Sequence, residues 1–404
     1  MQKTQPDIKD FDLRSLPQAF YDNPYPWYRS LREQQPVRRM PDGSVLLTRY
    51  TDIQSVYKSP MLFSSDKRAE FKPKYGDSPL YEHHTSSLVF NDPPLHSRVR
   101  NLIAGAMHPR AITAMEKGLI KCVDELLDKL ERSTQPDLIT DYAMQIPIEI
   151  IGNMLAIPRD EREPLREWSL AILGALEPAN SERSLEQGNQ SVQDFIKYLD
   201  KLVERRRREP GDPDKDVLTR LIQGEDGDTL SRMELLHNCI FILNAGHETT
   251  TNLIGNGLYL LSENPDQRVV LQRQPELIKT AVEEMLRLES SNQLGNRITT
   301  ESTTIGAETI EAGTPITLCI GAANRDPAQF TNPDRMDIQR SPNRHLAFGS
   351  GIHQCAGVSL AKLEGQVAIG RFLMRFPDFQ LLGSAKRSRR ARFRGFLNMD
   401  CLLG

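Results

Sequence analysis

The sequence predicts a mainly α-helical protein: a single helix-rich domain with small β-sheets over residues 1–404, behind an N-terminal tail at about 1–10. Three observations predict it. Apolar residues recur at helical spacing through most of the chain, most clearly over 112–130, 142–155, 191–208, 233–261 and 275–288. Short apolar runs bounded by turn residues, such as Ser44 to Thr48 and Thr314 to Cys319, read as isolated strands. No Ser/Gly-rich linker and no internal period divides the 404 residues, although that length would permit two or three domains.

Taken in order, Asn23 to Pro26 is an extended lead-in to a short helix, because proline restricts the residue before it. The strand at Ser44 to Thr48 is followed by a helix from Tyr50 to Tyr57. From Asp66 to Phe90 no clean period appears, so the stretch reads as a long loop of the kind that forms lids or binding loops. His83 and His84 within it read as a solvated pair. Asp92-Pro93-Pro94 marks a helix start. His96 and Arg100, four apart on that helix, share a face and could hold a carboxylate-bearing ligand through charge-assisted bonds; the plainer reading is a basic surface face. Helices over 163–176 and 191–208 flank a polar loop, Glu177 to Gln190. Arg205 to Arg208 reads as a solvated helix end favoured by the dipole.

The long apolar helix over 233–261 carries Ala245-Gly246-His247-Glu248-Thr249-Thr250 in its middle. The glycine alone weakens a helix by roughly 1 kcal/mol. A local violation of this kind in a buried helix points to function. Thr249 can bond back to a carbonyl and bend the helix, leaving room for a small ligand. Glu284 and Arg287, three apart, can pair on one helical face. Near the C-terminus, Phe348 to Gly357 places Cys355 in a glycine-rich loop that feeds a helix. Unpaired N–H groups and the dipole there favour a thiolate. A thiolate so held suits a soft metal or haem iron.

Composition sets limits on function. A net charge of −3 argues against general nucleic-acid binding. Five cysteines (Cys122, Cys239, Cys319, Cys355 and Cys401) show neither disulfide nor zinc spacing, which points to a reducing cytoplasm. The polar start, Met1 to Asp7, offers no signal peptide and no membrane anchor.

Phe348-Gly-Ser-Gly-Ile-His-Gln-Cys-Ala-Gly357 fits the haem-binding signature of the cytochrome P-450 family at every defining position, and four further blocks occur in the family's order. From about Phe11 to the C-terminus the chain resembles a soluble bacterial haem-thiolate monooxygenase. The resemblance implies the cytochrome P-450 fold and heme b (iron protoporphyrin IX) as cofactor. Cys355 would ligate the iron within the loop of Phe348, Gly349, His353 and Gly357. His96, Arg100, Arg297 and His353 would bind the propionates. Ala245 and Gly246 would lie over the haem face, and Glu248 and Thr249 would deliver protons to dioxygen. His247, at the motif's variable position, reads as structural. Glu284 and Arg287 would form a structural pair behind the cysteine, with Arg335 as its third partner.

Where many members have proline, this chain has Ser290-Ser291-Asn292, a polar wall able to hydrogen-bond a substrate oxygen. Asn292, Leu294 and Phe396 are the candidate pocket residues. The basic run Lys386 to Arg392 reads as a solvated loop. By resemblance the enzyme is a monomer that oxidises a small lipophilic substrate with dioxygen. Its electrons come from NAD(P)H through a separate ferredoxin and ferredoxin reductase, since no flavin or iron–sulfur domain is apparent. A peroxide-driven peroxygenase of the same fold is one alternative, and a non-catalytic haem sensor or carrier is another. Neither would need the acid–alcohol pair Glu248–Thr249.

Overall fold

The computed structural model describes residues 6–213, 216–227, 229–383 and 385–404. It opens with α1 (Gln18–Asp22), α2 (Tyr25–Gln34), β1 (Val37–Arg39), β2 (Val45–Leu47), α3 (Tyr50–Lys58) and β3 (Phe63–Ser64). The described part of the expected tail is anchored: Ile8 is buried in one cluster with Phe11 and Phe20.

Residues 66–90 depart from the loop reading. They form α4 (Arg68–Tyr75), α5 (Pro79–Ser86) and a last turn at Leu88–Phe90. Pro73 inside α4 and the paired histidines of α5 blur the apolar stripe that would have revealed two helices. Tertiary contacts stabilise them, since Phe71, Tyr75 and Leu80 are buried in the main core. The Ser78 side chain also caps α5, accepting from the Tyr81 N–H. His83 and His84 are buried, not solvated.

Next come α6 (Leu95–Ala106), α7 (Pro109–Glu131), α8 (Gln145–Met154) and α9 (Leu165–Gly174). α10 spans Glu182–Arg208, so the second half of the expected loop at 177–190 is helical. A reciprocal capping box between Ser181 and Ser184 starts the helix there. Its basic end is paired: Arg205 with Glu161, Arg206 with Asp216, and Arg207 with Glu225 and Asp226.

The remaining helices are α11 (Val217–Asp226), α12 (Arg232–Glu263), α13 (Pro265–Arg273), α14 (Ile278–Leu288), α15 (Ile320–Ala323) and α16 (Val358–Arg375). A capping box of Ser231 and Glu234 opens α12. At 32 residues it is roughly 48 Å long. It touches α8, α9, α10, α14 and α16, which explains why it is apolar nearly all round.

The strands β4 (Leu294–Thr299), β5 (Thr303–Ile305), β6 (Glu308–Ile310) and β7 (Pro315–Cys319) follow α14. The larger sheet has the order β1-β2-β7-β4-β3, with β2 and β7 parallel and the other pairs antiparallel. β5 pairs with β6. Near the C-terminus β8 (Gln380–Leu381) pairs with β11 (Cys401–Leu402), and β9 (Lys386–Arg387) pairs with β10 (Phe396–Asn398). Among the described residues, no helix is long and apolar enough to cross a membrane.

Candidate functional site

The loop before α16 is shaped by two glycines in the left-handed region, Gly349 at φ +66° and Gly351 at φ +70°. A Cβ on Gly351 would fall 2.1 Å from the Tyr57 carbonyl oxygen, so the end of α3 packs directly on the loop. The Cys355 N–H donates to Phe348 O at 2.9 Å, which closes the turn. Cys355 is an exposed residue. Protein atoms nonetheless crowd the sulfur enough that burial raises its thiol, while the Gly357 N–H and Arg100 act in the opposite direction. The bias toward a thiolate is present but is outweighed in the free thiol.

Four basic groups from three parts of the chain meet next to this loop. His96 on α6 is buried, and its ring lies 4.0 Å from that of His353, centroid to centroid. Neither nitrogen of His96, nor Nε2 of His353, has a hydrogen-bond partner. Arg297 on β4 is buried. It donates to Asn296 O at 2.6 Å, and its guanidinium lies 5.1 Å from the Tyr57 ring centre. Arg100 and Arg297 add to burial in lowering both histidines, which keeps them neutral. The carboxylate within reach is Asp92, 4.0 Å from His353 Nε2. This cluster, with its orphaned nitrogens, is suited to an anion.

On α12, Ala245 is exposed and Thr249 is half-buried, one turn apart on the same face. Thr249 Oγ1 donates to Ala245 O at 2.5 Å, the back-bond anticipated from the sequence. Gly246 is half-buried, and a Cβ there would lie 2.2 Å from Ile151 Cδ1 on α8, so this glycine also serves close helix packing. His247 is buried with both ring nitrogens unpartnered, and burial lowers it to about 4, so it stays neutral.

Glu248 is buried and accepts both bonds from Arg390 Nη1, at 2.6 and 2.7 Å. Burial pushes this carboxyl up and Arg390 holds it down. Arg390 also donates to Leu170 O on α9 at 2.9 Å. A cavity of about 360 Å³, lined in part by Tyr21, Leu170, Gly174, Glu177 and Arg389, opens beside it. Arg387, Arg390 and Arg392 of the basic run are therefore turned inward, while Lys386 and Arg389 stay exposed as expected of a solvated loop. Arg387 lies 4.0 Å from the Phe396 ring centre, Arg392 donates to Leu294 O at 2.7 Å, and Arg394 donates to Glu289 at 2.8 Å. The sequence did carry a signal for this, since arginine at 390, 392 and 394 has the two-residue period of an extended strand.

Glu284 and Arg287 are fully buried, joined at 2.7 and 2.8 Å. The third group is Arg340, whose Nε lies 3.1 and 3.2 Å from the carboxylate oxygens, and not Arg335. A turn in which Arg335 N donates to Asn332 O faces the Arg335 carbonyl inward, where it accepts from Arg287 at 3.3 Å. The Arg335 side chain is left exposed. Asn343 Nδ2 and the Asp337 N–H complete the cage, each at 3.0 Å.

Of the three candidate pocket residues, two belong to the core. Leu294 is buried in one cluster with Tyr28, Met40 and Cys319. Strand alternation sends it to the face of β4 opposite Arg297. Phe396 is buried against Tyr259, with ring centres 4.8 Å apart. Asn292 is half-buried with an unpartnered Oδ1. Its neighbours in the polar wall are occupied: Ser290 donates to Leu286 O at 2.8 Å and Ser291 donates to Thr249 O at 2.7 Å.

Comparison with known proteins agrees with this geometry. The family model described as "Cytochrome P450" matches residues 36–396. The chain is 36% identical over 368 residues to the biotin biosynthesis cytochrome P450 of Bacillus subtilis (strain 168), covering 90% of this chain and 91% of that one. It is 39% identical over 369 residues to the vitamin D(3) 25-hydroxylase of Pseudonocardia autotrophica, covering 90% and 89%. The crystal structure of P450BioI in complex with an acyl carrier protein ligated to hexadec-9Z-enoic acid superposes with a TM-score of 0.90 at 33% identity, covering 96% of this chain and 100% of that one.

Proposed function

Because this chain belongs to the cytochrome P450 family of bacterial monooxygenases, whose cofactor is haem, we propose that it inserts one oxygen atom of dioxygen into a lipophilic substrate. Electrons come from NAD(P)H through a separate ferredoxin and its reductase, in the cytoplasm. The observation that carries this reading is the cluster of His96, Arg100, Arg297 and His353, whose orphaned nitrogens fit the two carboxylates of a haem. When bound, the haem would supply dioxygen activation, which a thiolate ligand favours.

The chain's own residues divide the remaining work. Cys355 Sγ would hold the iron, and the Gly357 N–H would temper the sulfur's donor strength. Arg100 and Arg297 would neutralise the carboxylates, while His96 and His353 would donate hydrogen bonds to them. Thr249 Oγ1 swings from the Ala245 carbonyl, where it now donates, to pass a proton into the pocket. Glu248 resupplies that proton, and Arg390 orients its carboxylate. The presence of this acid–alcohol pair favours dioxygen over peroxide as oxidant. A lipophilic substrate agrees with the vitamin D(3) and hexadec-9Z-enoic acid in the names of the relatives.

The test is spectroscopic, followed by turnover. Haem-loaded protein, reduced and exposed to carbon monoxide, should give the Soret band of a thiolate-ligated ferrous complex. With ferredoxin, reductase and NAD(P)H it should hydroxylate lipophilic compounds that shift its spin state. A Cys355→Ala protein that keeps the thiolate-type band would overturn the assignment.

A further inference from the structure

Two cations, Lys74 near the end of α4 and Arg392 near the C-terminus, lack a carboxylate of their own. Lys74 donates its ammonium to Ala175 O at 2.9 Å and to Glu177 O at 3.2 Å. Arg392 donates to Leu176 O at 3.0 Å, to Leu294 O at 2.7 Å and to Asn296 Oδ1. Both are held by the same short turn, so ammonium and guanidinium lie side by side. Neither forms a salt bridge among the described residues. The acids near them are engaged: Glu70 with Lys67 at 2.5 Å, and Glu177 with the N–H groups of Ala391, Arg392 and Phe393. Lys67, Lys74 and Arg392 thus share two carboxylates that are already engaged, and Arg297 adds its charge on the Lys67 side. A half-buried cation without a carboxylate of its own can donate a charge-assisted bond to an anionic ligand.

A second polar group lies close by: the Tyr75 ring packs on His84, and its hydroxyl donates to Ala175 O at 2.7 Å, the carbonyl that also takes Lys74. His84 is 2% exposed, its ring packs against Phe71, Tyr75 and Phe90, and its Nε2 has no partner. After burial, the groups that act on it are Lys74, His237 and Arg392. Lys74 is lowered by burial and by Arg392 only to about 8, so it stays charged at neutral pH.

The place suits a substrate contact. Gln293 N donates to Arg392 O at 2.8 Å, and Ser291, two residues earlier, bonds the Thr249 carbonyl. The cations therefore sit one strand away from the proton-handling face of α12. We propose that Lys74, Arg392 and His84 form a subsite on the α4–α5 side of the pocket that takes an anionic group, a carboxylate, at one end of the lipophilic substrate. This rests on the reading of the chain as a haem-thiolate monooxygenase with its pocket under residues 68–90.

The experiment uses matched pairs that differ in charge: dodecanoic acid and its methyl ester, and cholanic acid and its methyl ester. Each is titrated into ferric, haem-loaded protein while the spin-state shift is followed. In at least one pair the acid should bind at least about tenfold tighter than the ester, a difference worth about 1.4 kcal/mol. Lys74→Met keeps an unbranched side chain but removes the ammonium, which lies 5.1 Å from the Tyr75 ring centre, and should abolish that preference while leaving the ester's affinity unchanged. Lys74→Arg should retain it. Equal binding of acid and ester in both pairs, the absence of any shift with either acid, or equal weakening of acid and ester by Lys74→Met would each overturn the subsite. A wild-type carbon monoxide complex without the thiolate band would instead overturn the haem-thiolate reading beneath it.

Discussion

Glu284→Ala tests the cage behind the cysteine loop. The carboxylate it removes is fully buried and accepts from Arg287, Arg340, Asn343 and the Asp337 N–H. Arg287 would then keep only carbonyl partners: Asn324 O at 2.9 Å, Pro333 O at 2.6 Å and Arg335 O at 3.3 Å. Removing one partner from a buried ion pair costs about 3–5 kcal/mol, a large part of the about 5–15 kcal/mol that holds a typical protein folded. The structure also separates two arginines that sequence reading confused. Arg340→Ala forfeits its charge-assisted contact with Glu284, worth about 1.5–3 kcal/mol, and its bond to Thr331 O at 2.9 Å. Arg335→Ala removes an exposed side chain and should stay within about 0.5 kcal/mol of wild type. Urea unfolding of the haem-loaded proteins, followed by Soret absorbance and far-ultraviolet dichroism, measures all three. If Arg335→Ala proves as costly as Arg340→Ala, or Glu284→Ala stays within about 1 kcal/mol of wild type, the cage is not the buried network described.

Thr249→Ala should retain haem and substrate binding but divert NAD(P)H consumption to hydrogen peroxide, and Glu248→Gln should slow turnover by up to about 10²–10⁴-fold; product formed per NAD(P)H, with peroxide assayed in parallel, decides both. Glu364 on α16 is buried with an unpartnered oxygen, and burial pushes its carboxyl from 4.5 up to about 8. The folded state holds this proton more tightly than the unfolded state, so the site's stability contribution is present below pH about 4.5 and is lost as pH rises to about 8. Across that window the loss is roughly 5 kcal/mol at about 1.36 kcal/mol per unit. Glu364→Gln should remove this slope, seen as a smaller difference between the urea midpoints at pH 5 and pH 8; a variant with the wild-type difference would show that Glu364 does not titrate in this way.

Features resting on short spacing were legible in the sequence. Three-residue spacing put Glu284 and Arg287 on one helical face, four-residue spacing aligned His96 with Arg100, and the glycines of 348–357 announced a loop that only residues without Cβ can form. These depend on backbone geometry within a few residues. Tertiary structure decided the rest, because it turned on which distant segments meet. Arg335 and Arg340 lie on one loop, and the path of a turn selects the one that reaches Glu284. α4 and α5 have weak patterns of their own and exist because Phe71, Tyr75 and Leu80 find a core to enter. His83 and His84 are buried for the same reason. Glu248 acquires Arg390 from 142 residues away, a pairing that local spacing cannot encode. Leu294 and Phe396 face the core because strand alternation and the Tyr259 ring leave them no other side.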